Sequence, residues 1–148
     1  MESKLPVGVA EVTQDDIRAG FRVTTLLPFN FGELREGLFF VLGGGWRSFK
    51  AQAWPADVTW TFAVSAQWAS QTLTSKKGLF VSIFNPDEYE TSRIAIPLAE
   101  IPSMEPGGCK WLVPVGCTLD VAGDWKIRAH SDKLILNEIS VLVTSPPP

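Results

Sequence analysis

Val58-Thr-Trp-Thr-Phe-Ala-Val-Ser-Ala-Gln-Trp68 decides the fold class. Trp60, Phe62, Val64, Ala66 and Trp68 fall on one face and Thr59, Thr61, Ala63, Ser65 and Gln67 on the other, which is the period of two of a half-buried strand. Such a strand belongs to a sheet with one face in a core and one in water, as in an antiparallel sandwich. The same alternation and turn residues extend outward in both directions. Downstream, residues 78–84, 92–97, 110–119, 124–130 and 133–143 read as strands, separated by Asn85-Pro-Asp87, Pro106-Gly-Gly108, Ala122-Gly-Asp124 and Ser131-Asp132. In 124–130, Asp124, Lys126, Arg128 and His130 point outward and Trp125, Ile127 and Ala129 inward; Ile135, Ile139, Val141 and Val143 then complete the core.

Upstream, residues 21–29 alternate Phe21, Val23, Thr25, Leu27 and Phe29 against polar and mixed positions. Asn30-Phe-Gly32 and Arg35-Glu-Gly37 read as turns before Leu38-Phe-Phe-Val-Leu42, so residues 21–29 and 38–42 are expected to pair as a hairpin. Gly43-Gly-Gly45 marks a bulge, a tight crossing or a close approach of backbone. The expected fold is all-β, an antiparallel β-sandwich of roughly eight strands, immunoglobulin-like or C2-like. Residues 1–20 form a short N-terminal arm with at most one helical turn, where Thr13 can cap Gln14-Asp-Asp16 and Gly20 ends it. The sandwich occupies residues 21–144, and Ser145-Pro-Pro-Pro148 leaves as an extended tail.

Composition supports one globular domain: 148 residues, 45% hydrophobic and 20% charged, with 12 Gly and 11 Pro for a chain of many turns. The net charge of −3 and the scatter of the 13 basic residues, densest at Lys76-Lys77, give no footprint for nucleic acid or an anionic membrane. The first ten residues lack the basic and apolar regions of a secretory signal, and no apolar run approaches the roughly 20 residues of a membrane span. A cytoplasmic protein is expected, or a virion-associated one if phage-encoded.

Val23-Thr-Thr-Leu-Leu27 and Arg35-Glu-Gly-Leu-Phe-Phe-Val-Leu-Gly-Gly-Gly-Trp46, with Phe80-Val-Ser-Ile-Phe-Asn-Pro-Asp87 and Gly123-Asp-Trp-Lys-Ile-Arg128, resemble a family of bacterial domains of unknown function. The resemblance covers about residues 23 to 143. Pro28-Phe-Asn30 stands where that family carries an acid, and residues 1–20 are additional. The resemblance implies a β-sandwich of bacterial or phage origin and no assigned activity.

No catalytic set emerges. His130 is the one histidine, so any nucleophile with a histidine base must use it, and its parity places it on the solvated face. Cys109 and Cys117, on one straight strand, would lie about 26 Å apart, beyond disulfide reach; a bend at Pro114-Val-Gly116 would allow a bridge, and two buried free thiols are the preferred reading. Glu88 and Glu90 flank Tyr89 as ordinary loop acids; with Asp87 they are the best candidate for calcium, without an EF-hand spacing. No cofactor or metal is expected. Of the 6 tryptophans, Trp60, Trp68 and Trp125 belong to the core. The irregular stretch containing Trp46, Arg47, Phe49, Lys50 and Trp54 is the expected interaction surface, since large aromatics with Arg anchor protein interfaces. The expected function is a non-enzymatic structural or protein-interaction module, self-associating or with a protein partner. The alternative is a carbohydrate- or calcium-binding sandwich.

Overall fold

The computed structural model describes residues 4–69, 77–98 and 107–148. Its longest pairing is built on the strand quoted above. In β6 (Ala56–Gln67), Trp60, Phe62, Val64 and Ala66 are buried in the core, with Trp68 just beyond. The strand is paired on both sides, with β2 (Arg22–Phe29) and along its whole length with β9 (Gly108–Leu119), both antiparallel. Its second face is not all in water: Ala63 and Ser65 are buried too, and Ser65 Oγ lies 2.6 Å from Thr24 Oγ1 on β2.

The larger sheet is centred on β7 (Lys77–Phe84) and β10 (Gly123–His130), which pair antiparallel. β8 (Glu90–Pro97) lies on the far edge of β7, and β11 (Ile135–Thr144) on the far edge of β10. Two short strands join in parallel, β1 (Ala10–Glu11) to Lys77–Gly78 and β5 (Ser48–Lys50) to Leu142–Thr144, which departs from a purely antiparallel expectation. Leu79, Val81, Ile83, Trp125, Ile127, Ala129, Val141 and Val143 of this sheet share one hydrophobic cluster with the inward residues of β6 and β9. Trp60, Trp68 and Trp125 are all members, as their parity predicts, and so is Trp111.

Residues 1–20 were expected to form an arm, and their described part packs against the body. Val12 is buried in the core and its N–H donates to the Gly78 carbonyl. A single five-residue helix, α1 (Gln14–Arg18), follows. Its start is closed by a capping box: Thr13 Oγ1 accepts from the Asp16 N–H at 3.3 Å and Asp16 Oδ2 accepts from the Thr13 N–H at 2.8 Å. Asp16 also lies 3.3 Å from Lys77 Nζ, tying the cap to β7. Thr13→Ala is expected to cost about 1 kcal/mol of stability and to raise amide exchange at Asp16; an unchanged exchange rate there would contradict the capping geometry.

The N-terminal hairpin differs from expectation. Asn30-Phe-Gly32 is not a turn that separates the strands: β3 (Phe31–Arg35) pairs with β4 (Leu38–Leu42) around the expected Arg35-Glu-Gly37 turn, and residues 21–29 pair instead with β6. The turn is Glu36-Gly37, both at positive φ (52° and 74°), the backbone signature of a two-residue hairpin loop. Gly32 serves close packing, because a Cβ there would sit 2.8 Å from the Phe29 ring. Gly43 and Gly45 lie at φ +65° and +77°, and a Cβ at Gly43 would sit 2.6 Å from the Asn30 side chain. The Gly45 N–H donates to the Pro28 carbonyl at 2.8 Å.

The end of the chain contains a second difference. Ile135 is exposed, because the β10–β11 register shifts by one residue between Ala129 and His130. The shift places Ile135 opposite the outward His130, and Leu136 packs against the core in its stead. The proposed turn at Pro106 begins outside the described residues; Asn85-Pro-Asp87 and Ser131-Asp132 connect strands as read, while in Ala122-Gly-Asp124 both Gly123 and Asp124 already belong to β10.

Candidate functional site

The residues expected to form an interaction surface divide into two groups. Trp46 and Phe49 turn inward onto Trp60, with ring centroids 5.4 and 5.5 Å from it in edge-on arrangements. Both are partly buried against the core. Arg47 and Lys50 are exposed, and Trp54 is 36% exposed. Parity explains the split, since Phe49 is the inward residue of β5 between outward Ser48 and Lys50. The sequence lacked the signal that Trp60 would be their platform, because that contact joins elements on different sheets.

Among the described residues, four exposed large apolar side chains lie together just before that stretch, on the β3–β4 hairpin. Directly paired residues of antiparallel strands project to the same side. Phe31 with Leu42, Glu33 with Phe40 and Arg35 with Leu38 therefore form one face, and Gly32 with Val41 and Leu34 with Phe39 the other. The second face is half-buried, while the first is open: Phe31 is 75% exposed, Leu42 72%, Leu38 56% and Phe40 49%. Its two charged residues pair with each other, Arg35 to Glu33, and the Arg35 guanidinium lies 5.6 Å from the centre of the Phe40 ring. Phe31 and Arg35 fall in the expected turns Asn30-Phe-Gly32 and Arg35-Glu-Gly37, which hid the β3 half of this face from sequence reasoning.

The outer face of the larger sheet carries the titratable cluster. His130 was expected to be solvated but is only 6% exposed. Its parity was read correctly; its burial comes from neighbours on other strands, with Phe80 and Phe84 rings 5.7 and 5.9 Å away. His130 Nδ1 lies 3.0 Å from the Ser131 carbonyl, an oxygen that only accepts, so this nitrogen carries the proton. Nε2 then accepts from Ser82 Oγ at 2.7 Å. Burial holds the imidazole pKa below its ordinary value. The pair has the contact of a nucleophile and base, but Ser82 is fully buried and its Oγ meets no solvent in this arrangement.

The acidic loop is committed to cations of the same sheet. Glu88, at φ +67°, reaches Lys126 Nζ at 3.0 Å and Arg128 at 2.8 Å, and these hydrogen bonds hold its carboxyl below the usual range. Glu90 pairs with Arg93, whose guanidinium stacks 4.3 Å from the Phe80 ring centre. Among the described residues no three His, Cys, Asp or Glu side chains converge as a metal site would need. The unbroken twelve-residue β9 separates Cys109 from Cys117, and both are free. Burial pushes each thiol up to about 12, far from the reactive thiolate.

Cys117 also lines a groove of about 1010 Å³ between β8 and the β6–β9 ladder, together with Asp57, Thr59, Ser92 and Arg93. No described helix is long and apolar enough to cross a membrane. Compared with family models and with curated proteins, the chain matches none.

Proposed function

We propose that the chain is a non-enzymatic structural or protein-interaction module, an immunoglobulin-like or C2-like β-sandwich that docks through the β3–β4 hairpin. A subunit of a bacterial or phage assembly, cytoplasmic or in the virion, fits that reading. One observation carries it: Phe31, Leu38, Phe40 and Leu42 form a contiguous exposed apolar face on a two-stranded sheet. Two strands alone are marginally stable in water, and contiguous apolar faces of this kind mark interaction sites. Trp54, with Arg47 and Lys50 exposed beside it in the chain, offers further contact.

The test is a Phe31→Ser/Leu42→Ser double variant. Both side chains are open to solvent, so folding stability should change by no more than about 0.5 kcal/mol per site. Size-exclusion chromatography of native extracts should show the wild-type chain in a complex and the variant at monomer size. A wild-type chain that elutes as a monomer, or a stable variant that stays in the complex, would remove the hairpin as docking element.

A further inference from the structure

We propose that the partner of the hairpin face is a second copy of this chain. The inference rests on the docking reading above and adds the occupant. Area is the first argument. Taking about 200 Å² for each fully exposed side chain, the four exposures leave roughly 500 Å² of apolar surface on one copy. Two such faces in full contact bury roughly 1,000 Å², the lower bound for a biological interface and the size of a weak, reversible one. Among the described residues, the other exposed large apolar side chains lie outside the hairpin, and Tyr89 and Ile135 share a depression with the charged Glu88, Glu90, Arg93 and Arg128.

Charge is the second argument. The face holds one acid and one base, Glu33 and Arg35, and is neutral as a whole. A face shaped for an acidic or basic partner carries an excess of one sign; a neutral face lets two copies meet across a two-fold axis without net repulsion. Arg35 lies over the Phe40 ring, in the middle of the face, so its guanidinium can exchange Glu33 of its own chain for Glu33 of the other. That exchange keeps both charges paired as the surrounding apolar residues lose water.

Sedimentation velocity of the purified full chain tests the pairing, with a photo-reactive amino acid at position 40 in the host cell as a second measurement. The wild-type chain should sediment as a dimer at micromolar concentration. Arg35→Glu, which places two acids on each opposed face, should raise the dimer Kd at least tenfold, and Glu33→Arg/Arg35→Glu should restore it. The cross-linked adduct should have twice the chain mass. A monomeric wild-type chain, or a double variant as weak as Arg35→Glu, overturns the second copy. A cross-link solely to a different protein overturns it as well while leaving the docking hairpin in place, and no cross-link at all removes both.

Discussion

Trp60→Ala should lower folding stability by about 3–5 kcal/mol, the range for deleting a buried aromatic ring from a core. Trp60 is 3% exposed in the strand paired on both edges, and its ring supports Trp46 and Phe49, which lie on or next to β5 of the other sheet. Truncation therefore removes more than its own burial. It opens a cavity beneath two partly buried rings, and it leaves β5 anchored to the body mainly through its backbone pairing with Leu142–Thr144. Urea unfolding should show the loss in the midpoint, and amide exchange at 48–50 should rise ahead of exchange in β10. Trp54→Ala is the control, since its ring is the more open one and its loss should fall within about 0.5 kcal/mol. If Trp60→Ala cost less than about 1 kcal/mol, the three-ring cluster would not be packed as described.

The same cluster shows what alternation can and cannot reveal. Residues 58–68 were legible because β6 runs straight between two partners, so each side chain keeps its parity for the whole length. Trp125, Ile127 and Ala129 were legible for the same reason. Parity gives a side and says nothing of what covers it. His130 lies on the predicted side, yet Phe80, Phe84 and Ser82 come from β7 and Glu90 and Arg93 from β8, none of them near in sequence. Ile135 failed on a one-residue register shift, a feature that depends on the partner strand. The hairpin face failed on composition: Arg35-Glu-Gly37 holds the real turn at Glu36-Gly37, but Asn30-Phe-Gly32 also looks like a turn, while Phe31 opens a strand and Gly32 admits the Phe29 ring. Local rules thus found the core, and the exposed face required pairing partners that periodicity does not name.

His130 should make stability fall as the solution is acidified from about pH 6.5, the unfolded-state value for histidine. Burial holds its folded pKa lower, so the unfolded chain binds more protons wherever the pH lies between the two values. The stabilising contribution is therefore complete above the unfolded pKa and is lost as the pH falls toward and through the folded one. The ring is enclosed by Ser82 on β7, by the Ser131 carbonyl, and by the Phe80 and Phe84 rings. Glu90, 3.6 Å from Nε2, and Glu11 on β1 favour the imidazolium, while Arg93 opposes it; burial outweighs the two acids. Protonation also ends the acceptance at Nε2, so Ser82 Oγ–H loses its partner. Glu88 acts with the same sign but lower on the scale: its pairing with Lys126 and Arg128 is intact above the carboxylate range and is lost as the pH falls through it. The measurement is denaturant unfolding from about pH 8 to 5 for the wild type, Ser82→Ala and His130→Gln. Ser82→Ala should cost about 1–3 kcal/mol near pH 8, because it leaves a buried acceptor unpaired. His130→Gln should flatten the slope between pH 7 and 5 whatever its constant offset. A wild-type curve already flat there, or a Gln variant that keeps the slope, would move the titration away from His130 and leave the Ser82 hydrogen bond a packing contact without a protonation role.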